Sequence, residues 1–318
     1  MGINKLSPLL RAVAGCGVRL EDGQGQHRVI VDGGFLNHRM STRGKAGSTL
    51  LFKDDVRPHA LECAREVRKF EDRGYLVTVV FDGMSPPAKA GTSDGRRERR
   101  EGFYRRAREL QKREPRKSAL INALASQACV FDNRVNARIA KHLRSLIRGE
   151  VYIAPGEADP QVVVFQNIYL AAGHNEVYVF GNDSDFLVLG VEQLLVEIRL
   201  DRGGALTGLC FKASLLFEPS ASSLCLATEQ HAWLRQLHGL PKEVEELRPN
   251  VVLQPLPGEV ARQRLLLYAI VVGNDFAQFA NVGPVTAAKT VLSLHQHSAV
   301  DGHTAACVPF EACVGELA

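Results

Sequence analysis

The stretch VYVFGNDSDFLVLG (residues 177–190) sets the problem of this chain. A short apolar run, Val177 to Phe180, stops at Gly181-Asn182; two aspartates follow, Asp183 and Asp185, and the chain then turns apolar again. A run of Val, Tyr and Phe bounded by turn residues reads as a buried strand, so both carboxylates stand just past a strand end. Three further segments repeat the design. HRVIV (27–31) runs into Asp32, YLVTVVF (75–81) into Asp82, and EVYIA (150–154) into the turn APGEADP, which carries Glu157 and Asp159. Helical patterns separate these strands: SPLLRAVAG (7–15), VRPHALECAREVRKFEDRG (56–74) and NARIAKHLRSLIRG (136–149), the last two predicted to end at Gly74 and Gly149. Strands alternating with helices predict an α/β fold, a mainly parallel sheet covered on both faces.

Parallel strands share a carboxyl edge, where open α/β sheets bind their ligands. Six carboxylates delivered to one edge repel one another, by about 4 kcal/mol for a pair ~4 Å apart at an effective dielectric near 20. Turn formation and helix capping explain any one aspartate in such a place, but not six at four strand ends. Divalent cations relieve the repulsion, and an all-oxygen donor set favours Mg²⁺ or Mn²⁺. Acids two residues apart in a β-like turn face one side, which predicts that Glu157 joins Asp159 and Asp183 joins Asp185. Asp275, in the turn GNDF, is a seventh candidate. Two metals about 3.5–4 Å apart, clamping a phosphodiester, are the established use of such a set.

The 318 residues carry a net charge of +4, spread unevenly. Between Lys89 and Lys117 stand twelve Lys/Arg against five Asp/Glu, so the rest of the chain is mildly acidic. So polar a segment is not core. It reads as largely helical, interrupted at Gly102 and Pro115, and its one-sided charge suggests a polyanion partner. The seven cysteines form no C-x-x-C pair and the ten histidines are dispersed, which fits reduced thiols inside a cell better than a disulfide framework or a zinc site. No run reaches the ~18–20 apolar residues of a membrane span. The amino terminus lacks the apolar centre of a secretory signal. It begins Met-Gly, but Leu6 stands where a myristoylation signal has Ser or Thr. Residues 201–260 are the least legible. DRGGALTG (201–208) reads as a hairpin; beyond it, loops flank a helix near EQHAWLRQLHGL (229–240), and VARQRLLLYAIVVGND (260–275) and GPVTAAKTVLSLHQ (283–296) read as helices.

Taken in order, MGINKLSPLL, VDGGFLNH, VFDGMSPPAK, APGEADPQ, GNDSDFLVLG and GNDFAQFANVGPVTAAK resemble the acidic blocks of the XPG-type structure-specific 5′ nucleases, the family of flap endonuclease and exonuclease 1. The resemblance runs from residue 1 to about 295, with a gap over 201–260. It implies a PIN-like sheet with a helical arch and a carboxy-terminal helix–two-turn–helix element. The implied division is a nuclease core over 1–200 with the arch at about 89–135, a divergent insertion over 201–260, and a DNA-binding part and tail over 261–318. It also implies two Mg²⁺ or Mn²⁺ ions on Asp32, Asp82, Glu157, Asp159, Asp183, Asp185 and Asp275. Lys89 and Arg96 match the arch-base cations that meet the scissile phosphate. DNA contacts are implied for Gly2, His38, Arg97, Arg99 and Arg100, and for the main chain of Asn281, Val282 and Gly283, beside a potassium ion. Asn281-Val282-Gly283 replaces the family's Gly-Ile-Gly. GEADPQ, DSDFL and His38 stand closer to exonuclease 1 than to flap endonuclease. The activity so implied is metal-dependent hydrolysis of DNA at 5′ flaps or 5′ ends, in repair or replication, by an intracellular monomer. The nucleus is the expected compartment and the mitochondrion the alternative. No membrane partner and no sliding-clamp motif is expected. The alternative reading is a nuclease-fold scaffold that binds nucleic acid without cutting it, and a weaker one is an RNase.

Overall fold

The structure, a computed structural model, describes residues 15–20, 25–85, 90–174 and 176–219, with Leu234, Leu237, Gly258, Ala261, Arg262 and Leu265. The expectations for Gly2, Lys89, Asp275, Asn281, Val282, Gly283, the helix–two-turn–helix element and the first helix fall outside these residues. Two compact units divide the chain, one of Cys16–Phe211 and one of Met1–Gly15 with Lys212–Ala318.

Seven strands form one sheet in the order β1-β7-β6-β5-β2-β3-β4. They are β1 (Gly15–Leu20), β2 (His27–Asp32), β3 (Leu76–Phe81), β4 (Glu150–Ile153), β5 (Glu176–Phe180), β6 (Gln193–Leu200) and β7 (Leu206–Lys212). β2 lies at the centre and pairs in parallel with β3 on one side and β5 on the other. Parallel pairing continues outward from β3 to β4 and from β5 to β6. The register sets Val31 beside Phe180 and Asp32 beside Val80, so the carboxyl ends of β2, β3 and β5 reach one edge together. Residues 201–205 then turn the chain back from β6 into β7, with Asp201 N–H donating to Ala205 O at 2.9 Å. This is the expected hairpin, and it carries the sheet past residue 200.

The helices are α1 (Gly33–Ser41), α2 (Ala46–Lys53), α3 (Arg57–Glu71), α4 (Ala90–Arg113), α5 (Ser118–Ala128), α6 (Asn133–Leu143), α7 (Ala158–Ala171), α8 (Asp185–Val188) and α9 (Ala213–Phe217). The architecture is the expected α/β, PIN-like one. Between sheet and helices lies a continuous core that includes Val29, Val31, Leu36, Phe70, Val77, Val79, Phe81, Ile139 and Phe180. Phe180 meets the edges of Phe35 and Phe70 at ring separations of 5.0 and 5.3 Å. Each such aromatic contributes roughly 1.5–3 kcal/mol by leaving water.

Two expectations about helix ends change. α4 runs unbroken through Gly102 for 24 residues, about 36 Å at 1.5 Å per residue, and only the approach to Pro115 stops it. α6 ends at Leu143 rather than at Gly149. Gly149 instead lies against β3, where a Cβ would stand 2.4 Å from Val77 O. In the unit that holds Phe217, the Arg262 guanidinium lies 4.5 Å over that ring.

β2 passes into α1 without a loop, because Asp32 is both the last residue of the strand and the N-cap of the helix. The turn brings Gly33 so close to β3 that a Cβ there would meet Phe81 Cδ1 at 2.4 Å and Val80 O at 2.7 Å. Gly33→Ala is therefore expected to destabilise the protein by about 1–3 kcal/mol through overpacking. A urea denaturation midpoint equal to that of the unsubstituted protein would show that the junction has room to spare.

Candidate metal and nucleic-acid site

The order of the strands explains where the acids meet. The chain steps from β2 outward to β3 and β4, then returns to lay β5 on the other flank of β2. Such a reversal opens a crevice at the carboxyl edge, and Asp32, Asp82 and Asp183 follow the three strands around it. Asp32 is 9% exposed, and its Oδ1 accepts the Gly34 N–H at 2.8 Å. Asp82 Oδ1 accepts the Ala158 N–H at 2.8 Å, one of the donors that the start of α7 leaves without a helical partner. Gly34 lies between them: a Cβ on it would stand 3.2 Å from Asp32 Oδ1 and 3.4 Å from Asp82 Oδ2. A second glycine after the cap thus keeps open a small space into which two carboxylates face.

The charges report the same convergence. Burial pushes the Asp32 carboxyl up to about 7, the nearby negative charges of Asp82 and Asp183 push in the same direction, and the main-chain N–H groups of Phe35 and Gly34 oppose them. No described Lys or Arg forms an ion pair with Asp32 or Asp82.

The remaining acids sit differently from the expectation of β-like turns. Glu157 is the N-cap of α7 and Asp159 lies in its first turn. Ser184 caps α8, Asp185 opens it, and Asp183 Oδ1 accepts the Asp185 N–H at 3.1 Å. Both pairs straddle helix starts, where a helix amino terminus attracts carboxylates. All four are half-buried. Among the described residues, no three His, Cys, Asp or Glu side chains close on one point at metal-ligand spacing. The donor set nonetheless fits a hard divalent cation in its chemistry: all oxygen, anionic, crowded by like charge, and with a cradle at Gly34 that a side chain would fill.

Beside this edge lies the amino-terminal part of α4. His38, in the last turn of α1, is open to solvent on one side and sets its ring edge-on to Phe131 at 5.2 Å. Its pKa is lowered, first by the protein packed around it and then by the positive charges of Arg100 and Arg96, while Asp82 acts in the opposite sense. Arg96 and Arg100 stand one turn apart on α4 and both are half-buried, whereas Arg97 and Arg99 are exposed. Burial and Arg96 together lower the pKa of Arg100. The structure thus brings His38, Arg96 and Arg100 into one electrostatic neighbourhood with Asp82 and turns Arg97 and Arg99 to solvent. Downstream, α4 packs on α5, with Ala107 fully buried and Tyr104 facing Phe52 of α2.

Three residues at this site carry no signal in the sequence. Ala158 serves through its main-chain N–H, which no residue type announces. Asn37 on α1 and Asn136 on α6 are asparagines within helices, a residue type as ordinary there as any polar one.

No family model matches the chain, and no curated protein matches it in sequence. The fold does have solved counterparts. The catalytic core of Rad2 in complex with DNA substrate is similar in two structures, complex II and complex III. One gives a TM-score of 0.51 at 14% identity, covering 96% of this chain and 75% of that one. The other gives 0.53 at 14% identity, covering 92% and 68%. At such identity the likeness establishes the fold, and the chemistry rests on the site.

The raised Asp32 pKa fixes a sign for stability. The unfolded carboxyl ionises near 3.8 and the folded one near 7, so between these values the folded protein binds the extra proton. Its contribution to stability falls as pH rises through that window. In the metal-free protein, Asp32→Asn is expected to gain on the unsubstituted chain from pH 4 to pH 8, by a few kcal/mol at the upper end. Parallel denaturation curves at both pH values would contradict the buried, crowded carboxyl.

Proposed function

We propose that this chain is a metal-dependent, structure-specific 5′ nuclease that hydrolyses phosphodiesters in DNA at 5′ flaps or 5′ ends. The observation that carries the reading is the crevice itself. Carboxylates from β2 and β3 face one space at Gly34, Asp183 adds its charge from β5, and Arg96 and Arg100 stand close enough to act on the same histidine as Asp82. An acidic edge alone would repel a phosphodiester. An acidic edge flanked by arginines can take up both the cations that neutralise it and the polyanion that needs cleaving.

In this reading Asp32, Asp82 and Asp183, with Glu157, Asp159, Asp185 and Asp275, hold two Mg²⁺ or Mn²⁺. Bound there, such ions lower the pKa of a water to make the nucleophile and stabilise the leaving oxygen. The protein's own part is positioning and electrostatics. The end of β2 and the start of α7 keep the carboxylates of Asp32 and Asp82 fixed. Lys89 and Arg96 draw the scissile phosphate toward them and offset charge as it develops. Arg97, Arg99 and Arg100 of α4 hold the single strand through its backbone, while Gly2, His38 and the main chain of Asn281, Val282 and Gly283 hold duplex phosphates, the latter beside a potassium ion. Such contacts set register without reading sequence. GEADPQ, DSDFL and His38 favour an exonuclease 1-like preference. The reading extends to an intracellular monomer acting in DNA repair or replication, in the nucleus first and the mitochondrion as the alternative.

Two measurements test the assignment. On a fluorescent 5′-flap DNA with Mn²⁺ or Mg²⁺, Asp183→Ala and Asp82→Ala are each expected to slow cleavage by at least ~10²-fold, the scale of losing a group that acts in the transition state, with DNA affinity retained. Variants that cut as fast as the unsubstituted protein would remove these residues from the mechanism. Strong binding without cleavage by the unsubstituted protein, over hours in either metal, would favour the scaffold. Replacing Arg97 and Arg99 together by alanine is expected to weaken DNA binding evenly across sequences and to reduce the slope of log affinity against log salt by about 2. An unchanged slope in a fluorescence-anisotropy titration would take the exposed face of α4 out of the interface.

A further inference from the structure

A line of buried polar side chains runs from the interior to Asp82. His59 on α3, Asn37 on α1 and Asn136 on α6 are fully or almost fully buried. His59 Nε2 lies 3.0 Å from Asn37 Oδ1, Asn37 Nδ2 donates to Asn136 Oδ1 at 3.0 Å, and Asn136 Nδ2 donates to the main-chain carbonyl of Asp82 at 3.0 Å. The pattern has one consistent reading. Only an amide nitrogen can donate to the Asp82 carbonyl, so Asn136 Oδ1 must accept from Asn37, and Asn37 Oδ1 is left to accept from His59. The imidazole therefore carries its proton on Nε2. Its Nδ1 is a bare lone pair and, among the described residues, a buried side-chain atom without a partner. Burial and the neighbouring His38 hold the imidazole well below its usual range, at about 4, which keeps it neutral.

A buried polar chain this long is costly unless every link is made. Apolar residues would pack these helices more cheaply. What the chain does achieve is to tie three helices to the residue that follows β3. Asp82 is then fixed twice, by Asn136 through its carbonyl and by Ala158 through Oδ1. That leaves Oδ2 toward the space at Gly34.

We infer that Asn136, Asn37 and His59 are positioning residues for the reaction: a one-directional chain of donors that fixes the main chain at Asp82 and so aims its carboxylate. The inference rests on Asp82 serving the proposed nuclease centre. None of the three touches the acidic space itself, so their effect must pass through Asp82.

The test compares substitutions that differ only in the donor. Asn136→Leu keeps the approximate shape and removes the donor at the near end. His59→Leu removes it at the far end, and His59→Gln, whose amide nitrogen occupies about the place of Nε2, restores it. Both His59 variants lose the imidazole ring beside Phe131, so the contrast between them reads the hydrogen bond rather than the packing. Thermal melting of the full chain first establishes that each variant is folded at the assay temperature. Two readouts follow: steady-state cleavage of the flap DNA, and hydrogen–deuterium exchange of the peptide covering residues 80–84. Asn136→Leu and His59→Leu are expected to lower kcat by ~10-fold or more with KM unchanged, the scale on which sub-ångström misplacement acts, and to speed exchange at 80–84. His59→Gln is expected to stay within about threefold on both, the spread ordinary for a kept contact in a changed context. Unchanged exchange in folded Asn136→Leu, or equal losses in His59→Gln and His59→Leu, overturns the inference. If the unsubstituted protein does not cleave, the nuclease reading fails and exchange alone decides the anchoring of Asp82.

Discussion

A carboxylate that ends a central strand and begins a helix is the constraint on which the rest of this fold depends. Asp32 cannot move toward solvent without uncapping α1, and the residue after it, Gly33, lies so close to β3 that a Cβ there would meet Phe81 and Val80. It is held in a place where its charge is unwelcome, because burial and two like charges oppose ionisation. A native structure keeps such a group only if the surrounding packing over-determines it, and here the over-determination is visible. β2 is paired on both sides, and the rings of Phe35, Phe70 and Phe180 interlock beneath its end.

Asp82 answers the same problem by other means. β3 carries it to the edge one strand over, and its carboxylate finds the open N–H at the start of α7 while its carbonyl is held from the interior. One acid is fixed by local backbone, the other by contacts 54 and 76 residues away in sequence. The second arrangement ties the site to helices that approach from a different part of the chain. Packing changes in α6 or α7 therefore reach the acidic edge through Asp82 before they reach Asp32.

How much of this was legible follows from the range of each interaction. β2, β3 and β5 are buried on both faces over most of their length and paired in parallel, so they read as unbroken apolar runs closed by Gly, Asn and Asp, while β4 is the half-exposed edge strand. That pattern is local, and it also delivers the strand-end acids. The course of α4 departs from its pattern at Gly102 because a glycine in a helix interior costs only about 1 kcal/mol, and packing on α5 outweighs it. The end of α6 departs from the signal at Gly149 because a glycine that stops a helix and one that admits a neighbouring strand are spelled the same way. Glu157 and Asp159 were expected in a β-like turn. The sequence does show Pro160 two residues after Ala158, and a proline in a first turn is a helix start signal as much as a turn signal. β1, α1, α2 and α5 carry too weak a period to be separated from loops by composition. The line from His59 to Asp82 could not be read at all, since its links span 22, 99 and 54 residues and each member alone is a commonplace side chain.

Separation of the acidic and basic parts onto different kinds of element has its own logic. The acids need a fixed mutual spacing, and they stand at the ends of strands that share hydrogen bonds. The arginines need reach, and they stand on a helix about 36 Å long whose polar face is solvated. The two parts meet at His38, a side chain on which the charges of Asp82, Arg96 and Arg100 all act. Burial and then the charges of Arg100 and Arg96 lower the pKa of that imidazole against the pull of Asp82, which favours its neutral form. A ring packed on Phe131 and open to solvent thus stands where the fields of the carboxylates and of the arginine helix overlap, at the boundary between them. A lysine or glutamate at the same position would bias the boundary toward one side. A neutral side chain there favours neither the acids nor the arginines, which is what the proposed binding of cations beside a phosphate backbone would require.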